Sequence, residues 1–429
     1  MSISIIIGTV IALACLVAAF RLFHKKRLID DLPTSKTLGA FIGLVELKGT
    51  AESETPLTSH LAEIPCVLYD WKIDEHWSRT VTTIGPKGVP TTHHESGWKT
   101  VAHGGQLAPF YLKDDTGIIR IQPEGAKIED KEVFDKTITH TSPLYFIKGP
   151  LNEIANTDHR RRFYETALPL HTPLYVLGQA HERTDIVAAE IAHDKNASLF
   201  IISTRTEKQV SAGYGWGLWL WLILGLLAGL GGVFVGNIIV KTTSQTWQPY
   251  AAVAGGFLLV LGFGWVWTVF NSLIGLRQRV QQAWAQVDVQ LKRRHDLIPN
   301  LVQVVEGYST HERETQELVT KLRQQMIATP PGVAGPDYGG FAPLLKVTIE
   351  RYPDLKASEM FLKLQQSLVE TEQRIALSRD YFNNIASFYN ARLEIVPDRF
   401  VAGLMKLHAQ QLMGAADFER APVQVSLAS

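Results

Sequence analysis

The chain is short of cysteine, of net charge and of catalytic signatures, and each shortage narrows what it can be. Two cysteines, Cys15 and Cys66, stand in 429 residues. Cys15 lies inside an apolar run, which argues against a structural disulfide, and two thiols cannot build a cysteine zinc cluster. Lys plus Arg equals Asp plus Glu at 42 each, a formal net charge of +0. A general nucleic-acid binder needs surplus cations to displace counterions, so no nucleic-acid partner is expected. Neither a GxSxG nor a Gly-rich phosphate loop followed by Lys occurs. His311-Glu312 opens like a zincin helix, but position 315 is threonine where the second histidine belongs. No enzymatic activity and no cofactor are expected.

What the chain has is apolar length. Ile3 to Phe20 carries no charged side chain, and Arg21, His24, Lys25, Lys26 and Arg27 follow at once. A secretory signal would carry a basic region before the apolar run, which is absent, so residues 1–21 read as a transmembrane anchor. A second uncharged stretch divides at Lys241 and Pro249 into two spans, about Gly217 to Val240 and Tyr250 to Phe270. Residues 213–270 thus read as a transmembrane hairpin, with Trp216, Trp219, Trp221, Trp247, Trp265 and Trp267 near its ends. Gly225 and Gly229, and again Gly232 and Gly236, have GxxxG spacing, which permits close helix packing within the chain or against another copy. Arg205 and Lys208 precede the hairpin, while Arg277 and Arg279 follow it. All the basic flanks then fall on one side, which predicts both soluble regions in the cytoplasm.

Between the anchor and the hairpin the pattern changes to short β-type runs. Val67, Tyr69, Trp71 and Ile73 alternate with polar neighbours, as a half-buried strand requires. Pro109 to Lys113, Asp114 to Gly117 and Ile118 to Ile121 read as strand, turn and strand, with Gly117 expected at positive φ. Leu174 to Leu177 and Leu199 to Ser203 are further strands, and a helix is expected around Asn152 to Thr166. His93, His94 and His103 are the one hint of metal, in what reads as a polar loop, Gly85 to Gly97. Adjacent histidines on an extended strand point to opposite sides, so a polar loop is the better reading.

Asn271 to Glu312 continues the last span without a linker. Leu273, Leu276, Val280, Ala283, Val287, Leu291, Ile298, Leu301 and Val305 recur at helical steps, with Arg277, Arg279, Gln281, Gln282 and Gln290 opposite. This predicts a stalk helix that Pro299 must kink or divide. Lys292, Arg293, Arg294 and Asp296 read either as a solvated face or an ion pair within a bundle, or as a partner-binding site, and His295 as a core histidine. Thr329 to Pro343 reads as an interhelical loop. Leu355, Phe361, Leu364, Leu368, Ile375, Tyr381 and Phe382 mark another helix within Asp354 to Leu393, and Phe400 to Leu412 a shorter one after Pro397. The fold class is therefore a multi-domain membrane protein: a β-rich α+β N-terminal soluble domain, three transmembrane helices, and an all-α antiparallel helical bundle of three or four helices at the C-terminus.

Two resemblances attach to these stretches. WAQVDVQLKRRHDLIPNLVQVVEGYSTHE, then Tyr352 to Leu393, then FERAPVQVSL (Phe418 to Leu427) resemble the LemA family of membrane-anchored helical proteins, over roughly residues 271–429. The family carries no agreed activity, and its signature maps here to Arg293, Arg294, His295, Asp296, Pro299 and Asn300. IPCVLYDWKI, GWKTV, APFYLKDDTGIIRIQPEGAKI, LPLHTPLYVLGQA and LFIISTRTEKQV resemble the GIDE or BAM domain of the mitochondrial membrane-anchored ubiquitin ligases, over residues 38–209. Those ligases carry their chemistry on a RING finger whose zinc-binding cysteines are absent here. The expectation is a self-associating scaffold of the bacterial inner membrane, with the lipid bilayer and further copies as partners. An adaptor for a membrane protease or envelope-stress system is the alternative, and a metal-dependent hydrolase using His93, His94 and His103 a distant third.

Overall fold

The computed structural model describes residues 3–84, 90–183, 188–195, 197, 199–239, 247–308 and 359–413. The chain divides into two compact units, residues 34–210 and residues 1–33 with 211–429.

In the first unit, β1 (Thr34–Ser35) lies beside β2 (Gly43–Glu52), and β2 pairs with both β6 (Phe110–Lys113) and β11 (Pro173–Glu182). From β6 the pairing passes to β7 (Ile118–Ile121), to β12 (Ala189–Ala192) and back to β11, which closes a five-stranded barrel. The short strands β8 (Lys127–Glu129) and β13 (Ile201–Ser203) extend it. Closure consumes the sheet edges, and the inward side chains fill the interior, including Val45, Leu47, Phe110, Leu112, Ile121, Val176 and Ile191. The Asp114–Gly117 turn is present. The positive φ values for glycine fall at Gly43 and Gly125, however, and the turn is closed by the Asp114 carboxylate, which accepts from the Thr116 and Gly117 amides.

A second sheet contains β3 (Leu57–Thr58), β4 (Pro65–Ile84), β5 (Pro90–Leu107), β9 (Lys131–Thr139) and β10 (Thr157–Pro169). Two expectations are corrected here. Residues 157–169 form a strand and not a helix; the nearby helix is the single turn α2 (Leu144–Ile147). Residues 90–97 are not loop but the start of β5, paired with β4 out to Ile84 and Pro90. On β10, Arg161, Phe163, Glu165 and Ala167 point inward. Arg161 and Glu75 form an ion pair at 2.8 Å with both side chains fully buried. Arg161 also donates to the carbonyls of Tyr145, Pro150 and Asn152, and lies 3.9 Å from the Tyr145 ring centroid. Glu165 accepts the amides of His60, Leu61 and Ala62 at 2.7 to 3.1 Å.

Cys66, on β4, is fully buried, and burial followed by the Glu165 charge pushes its thiol up to about 11. The thiolate is the nucleophile, so the native chain is expected to resist a water-soluble maleimide at neutral pH. After denaturation in SDS, both thiols should titrate; rapid labelling of Cys66 in the native state would contradict this packing.

The second unit is helical. Among the described residues, three candidate spans lie in α1 (Ile3–Asp30), α3 (Glu207–Ile239) and α4 (Gln248–Tyr308). α4 runs 61 residues without interruption, so the third span and the stalk are one helix of about 90 Å, with Pro299 inside it. α5 (Glu359–Glu394) packs along α4, joining Leu276, Val280, Ala283, Val287 and Leu291 to the buried positions Leu368, Ile375, Phe382, Ile385 and Tyr389. Trp284 meets Phe382 edge-on at 5.5 Å. The last described helix, α6 (Asp398–Leu404), is shorter than the expected Phe400 to Leu412, and residues 405–413 are not helical. The Thr329 to Pro343 stretch and the helix start at Asp354 lie outside the described residues, and two long helices and α6 represent the bundle among those described.

Candidate functional site

Buried charges gather where the helices leave the apolar region. The end of α1 supplies Arg27 and Asp31, α4 supplies Ser272, α5 supplies Arg392, and α6 begins with Asp398. Arg392 donates to Asp31 at 2.6 and 2.8 Å and to Asp398 at 3.2 Å. Arg27 donates to the other Asp398 oxygen at 2.8 Å, and Ser272 donates to Asp31 at 3.1 Å. At the same level of α1, one residue earlier in each case, Lys26 and Asp30 form with Ser211 a second polar triad that ties α1 to α3. Burial alone would lower the Arg392 guanidinium pKa, but the Asp31 and Asp398 charges hold it above its ordinary value. The residues Arg27, Asp31, Ser272 and Arg279 also border a cavity of about 50 Å³, roomy enough for a water.

This arrangement ties α1, α4, α5 and α6 together. Both oxygens of each carboxylate accept hydrogen bonds: Asp398 from two guanidinium groups, Asp31 from Arg392 and the Ser272 hydroxyl. Asp398 sits in the first turn of α6, where a negative charge also meets the positive end of the helix dipole. Arg27 was legible only as a topology-setting charge; its partner Asp398 lies 371 residues away and could not be read from spacing.

The membrane helices cross closely. A Cβ on Gly8 would come within 2.7 Å of the Ala228 carbonyl oxygen, and one on Gly232 within 2.8 Å of that of Ser4. Gly225 faces Cys15 and Phe257, and Gly229 faces Val253 and Ala12. Gly236 is buried as well. Gly225, Gly229 and Gly232 are therefore used between helices of the same chain, which takes them away from contacts between copies.

The LemA signature divides in two. Arg293, Asp296 and Asn300 are exposed, and the Asn300 side-chain amide donates to the Asp296 carbonyl at 3.3 Å. Arg294 is buried, 3.8 Å from Glu372 of α5, while His295 and Pro299 are half-buried. The charge run thus contributes one buried interhelical pair and an exposed face. His295 Nδ1 is buried without a hydrogen-bond partner among the described residues.

In the β-rich unit, His93, His94 and His103 lie on β5 opposite Val81, Thr80 and Lys72. Nine residues of strand separate His94 from His103, about 30 Å, so the three cannot share a metal. Among the described residues no group of three His, Cys, Asp or Glu side chains is placed to hold one. An open groove of about 720 Å³ is bordered by Lys48, Leu174, Tyr175, Arg205 and Lys208. Beneath it Glu46 accepts from Thr34 and Tyr175, and burial pushes its carboxyl pKa up.

Comparison with known proteins finds two families along the chain. Residues 283–427 match the LemA family, and residues 84–235 match the GIDE family, described as E3 Ubiquitin ligase. The latter match runs past the β-rich unit into α3. Among similar proteins, LemA of Metamycoplasma hominis is 25% identical over 161 residues, 36% of this chain and 74% of that protein. Magnetosome protein MamQ 2 of Paramagnetospirillum magneticum is 23% identical over 165 residues, 31% of this chain and 60% of that protein. MamQ of Magnetospirillum gryphiswaldense is 22% identical over 164 residues with the same two coverages. No solved structure matches. With two cysteines in the whole sequence, the chain has no RING finger to accompany the ligase-type region. It is a membrane protein that joins a GIDE region to a LemA-family C-terminal region.

Proposed function

We propose that this protein is a membrane-embedded scaffold, which self-associates and organises other proteins at the bacterial inner membrane without catalysing a reaction. The observation that carries the reading is the continuous helix α4, clamped at the membrane exit by Arg27, Asp31, Arg392 and Asp398. Such a helix holds a binding face at a fixed height above the bilayer. The end of α1 that carries Lys26 and Arg27 bonds Ser211 near the start of α3, and its Asp31 bonds Ser272 of α4 close to Arg277 and Arg279, so the basic flanks of the spans share one side, which supports a cytoplasmic location for both soluble regions. Since the glycines of α3 are used within the chain, self-association falls to the exposed signature face, Arg293, Asp296 and Asn300.

Single-particle imaging of the detergent-extracted chain is the test. A closed assembly of several copies is expected, and the triple variant R293A/D296A/N300A should dissociate while keeping its helical content. A monomeric wild-type protein would overturn the scaffold reading in favour of an adaptor for a membrane protease or stress system.

A further inference from the structure

The side of α6 that faces away from α4 is apolar, and its position in the fold names what it meets. Val401 and Ala402 are buried against Val269 and Leu273, with Trp265, Leu393, Met405 and Leu407 around them. Val269 belongs to the last turn of the third span, so α6 lies level with the place where α4 leaves the apolar region. Its outer side carries Phe400 and Leu404, one helical turn apart and 71% and 83% exposed. Just before the helix, Ile395 and Val396 are 51% and 63% exposed. Ten residues therefore display four large apolar side chains, far more than an isolated exposed leucine on an ordinary surface.

Charge is sorted in the same sense. Asp398, the acidic residue of α6, is turned inward onto Arg27 and Arg392. Arg399 and Lys406 are exposed beside Phe400 and Leu404, and Glu394 is the exposed carboxylate nearby. An apolar face bordered by cations, at the height of the membrane boundary, has the composition of a helix that lies in a bilayer interface. Basic side chains at that depth meet headgroup phosphates.

We propose that residues 395–404 are an interfacial anchor: Ile395, Val396, Phe400 and Leu404 insert into the headgroup–acyl boundary, and Arg399 and Lys406 contact lipid phosphates. The long helix α5 thereby returns the C-terminal region to the membrane from which α4 departs. The inference rests on the reading of α1, α3 and α4 as spans and is independent of the scaffold reading.

Nitroxide labels test it in the full chain reconstituted into phosphatidylcholine vesicles containing a minority of phosphatidylglycerol. F400C and L404C place labels on the outer side of α6 without touching its ion pairs; K363C places one on an exposed site of α5 about 45 Å along that helix. Unsubstituted protein controls for Cys15 and Cys66, and circular dichroism checks that each labelled chain is folded. The labels at positions 400 and 404 should relax several-fold faster with oxygen, which partitions into lipid, than with a water-soluble nickel chelate, and position 363 should show the reverse. Labels at 400 and 404 that behave like the one at 363 would overturn the proposal. So would labels shielded from both reagents, since protein would then cover this face.

Discussion

Replacing Arg161 by leucine is expected to cost the β-rich region about 3–5 kcal/mol, the usual penalty for leaving one half of a buried ion pair behind. The guanidinium is fully buried and is used in full: two contacts go to Glu75 and three to the carbonyls of Tyr145, Pro150 and Asn152. Leucine would abandon a buried carboxylate and three acceptors together. The segment 144–156, held to the sheet by those carbonyls, should lose its protection from amide exchange first. The paired variant E75M/R161L supplies the control, because removing both charges is far less harmful than removing one. It should recover a large part of the loss. A single variant within about 1 kcal/mol of wild type would mean that the pair contributes nothing beyond its volume.

The second large effect concerns the junction at the membrane exit. D398N removes the one carboxylate shared by Arg27 and Arg392, whose side chains are 8% and 21% exposed. The deeper Arg27 would lose its charged partner, while Arg392 would keep Asp31 and some access to water. A cost of about 3 kcal/mol follows, at the lower end for a broken buried pair. Because this network attaches α5 and α6 to α1, the consequence should be local. Amide exchange in residues 395–405 should rise sharply while the β-rich region is unchanged, and R392Q should reproduce it. Equal exchange in D398N and wild type would remove the clamp from the argument.

Much of the architecture was legible because it rests on periodicity. The apolar steps from Leu273 to Leu291 marked the stalk that continues the third span, and the alternation around Trp71 marked β4; no new helix opens at Pro299, because α4 runs on through it to Tyr308. The errors have equally physical causes. On β10 the alternating inward positions are Arg161, Phe163, Glu165 and Ala167, so two of these four side chains are charged and the hydropathy alternation is hidden. The first half of β5, Thr91 to Gly97, has both faces exposed, so no period of two survives in its His, Glu, Ser and Gly residues. As for the candidate site, the basic residues after the first span were visible, but Asp31, Ser272, Arg392 and Asp398 come together only through tertiary folding. Asp398 directly follows Pro397 and reads locally as an ordinary helix start. The exposed half of the LemA signature was found by resemblance, yet its separation from buried Arg294 depends on where α5 lies.

The unbroken run of α4 also gives the molecule a mechanical property. Residues 271–298 continue the span as a rod of about 42 Å. A span longer than the local hydrocarbon thickness accommodates by tilting. Tilting this one by about 10° would carry the far end of the rod sideways by about 7 Å, enough to break or make a contact between neighbouring proteins. Because Asp31 and Ser272 bind α1 to the base of the rod, the two helices would pivot together. Bilayer thickness thereby becomes a variable that the outer end of the stalk reports, with lipid acting as the input and α4 as the lever arm.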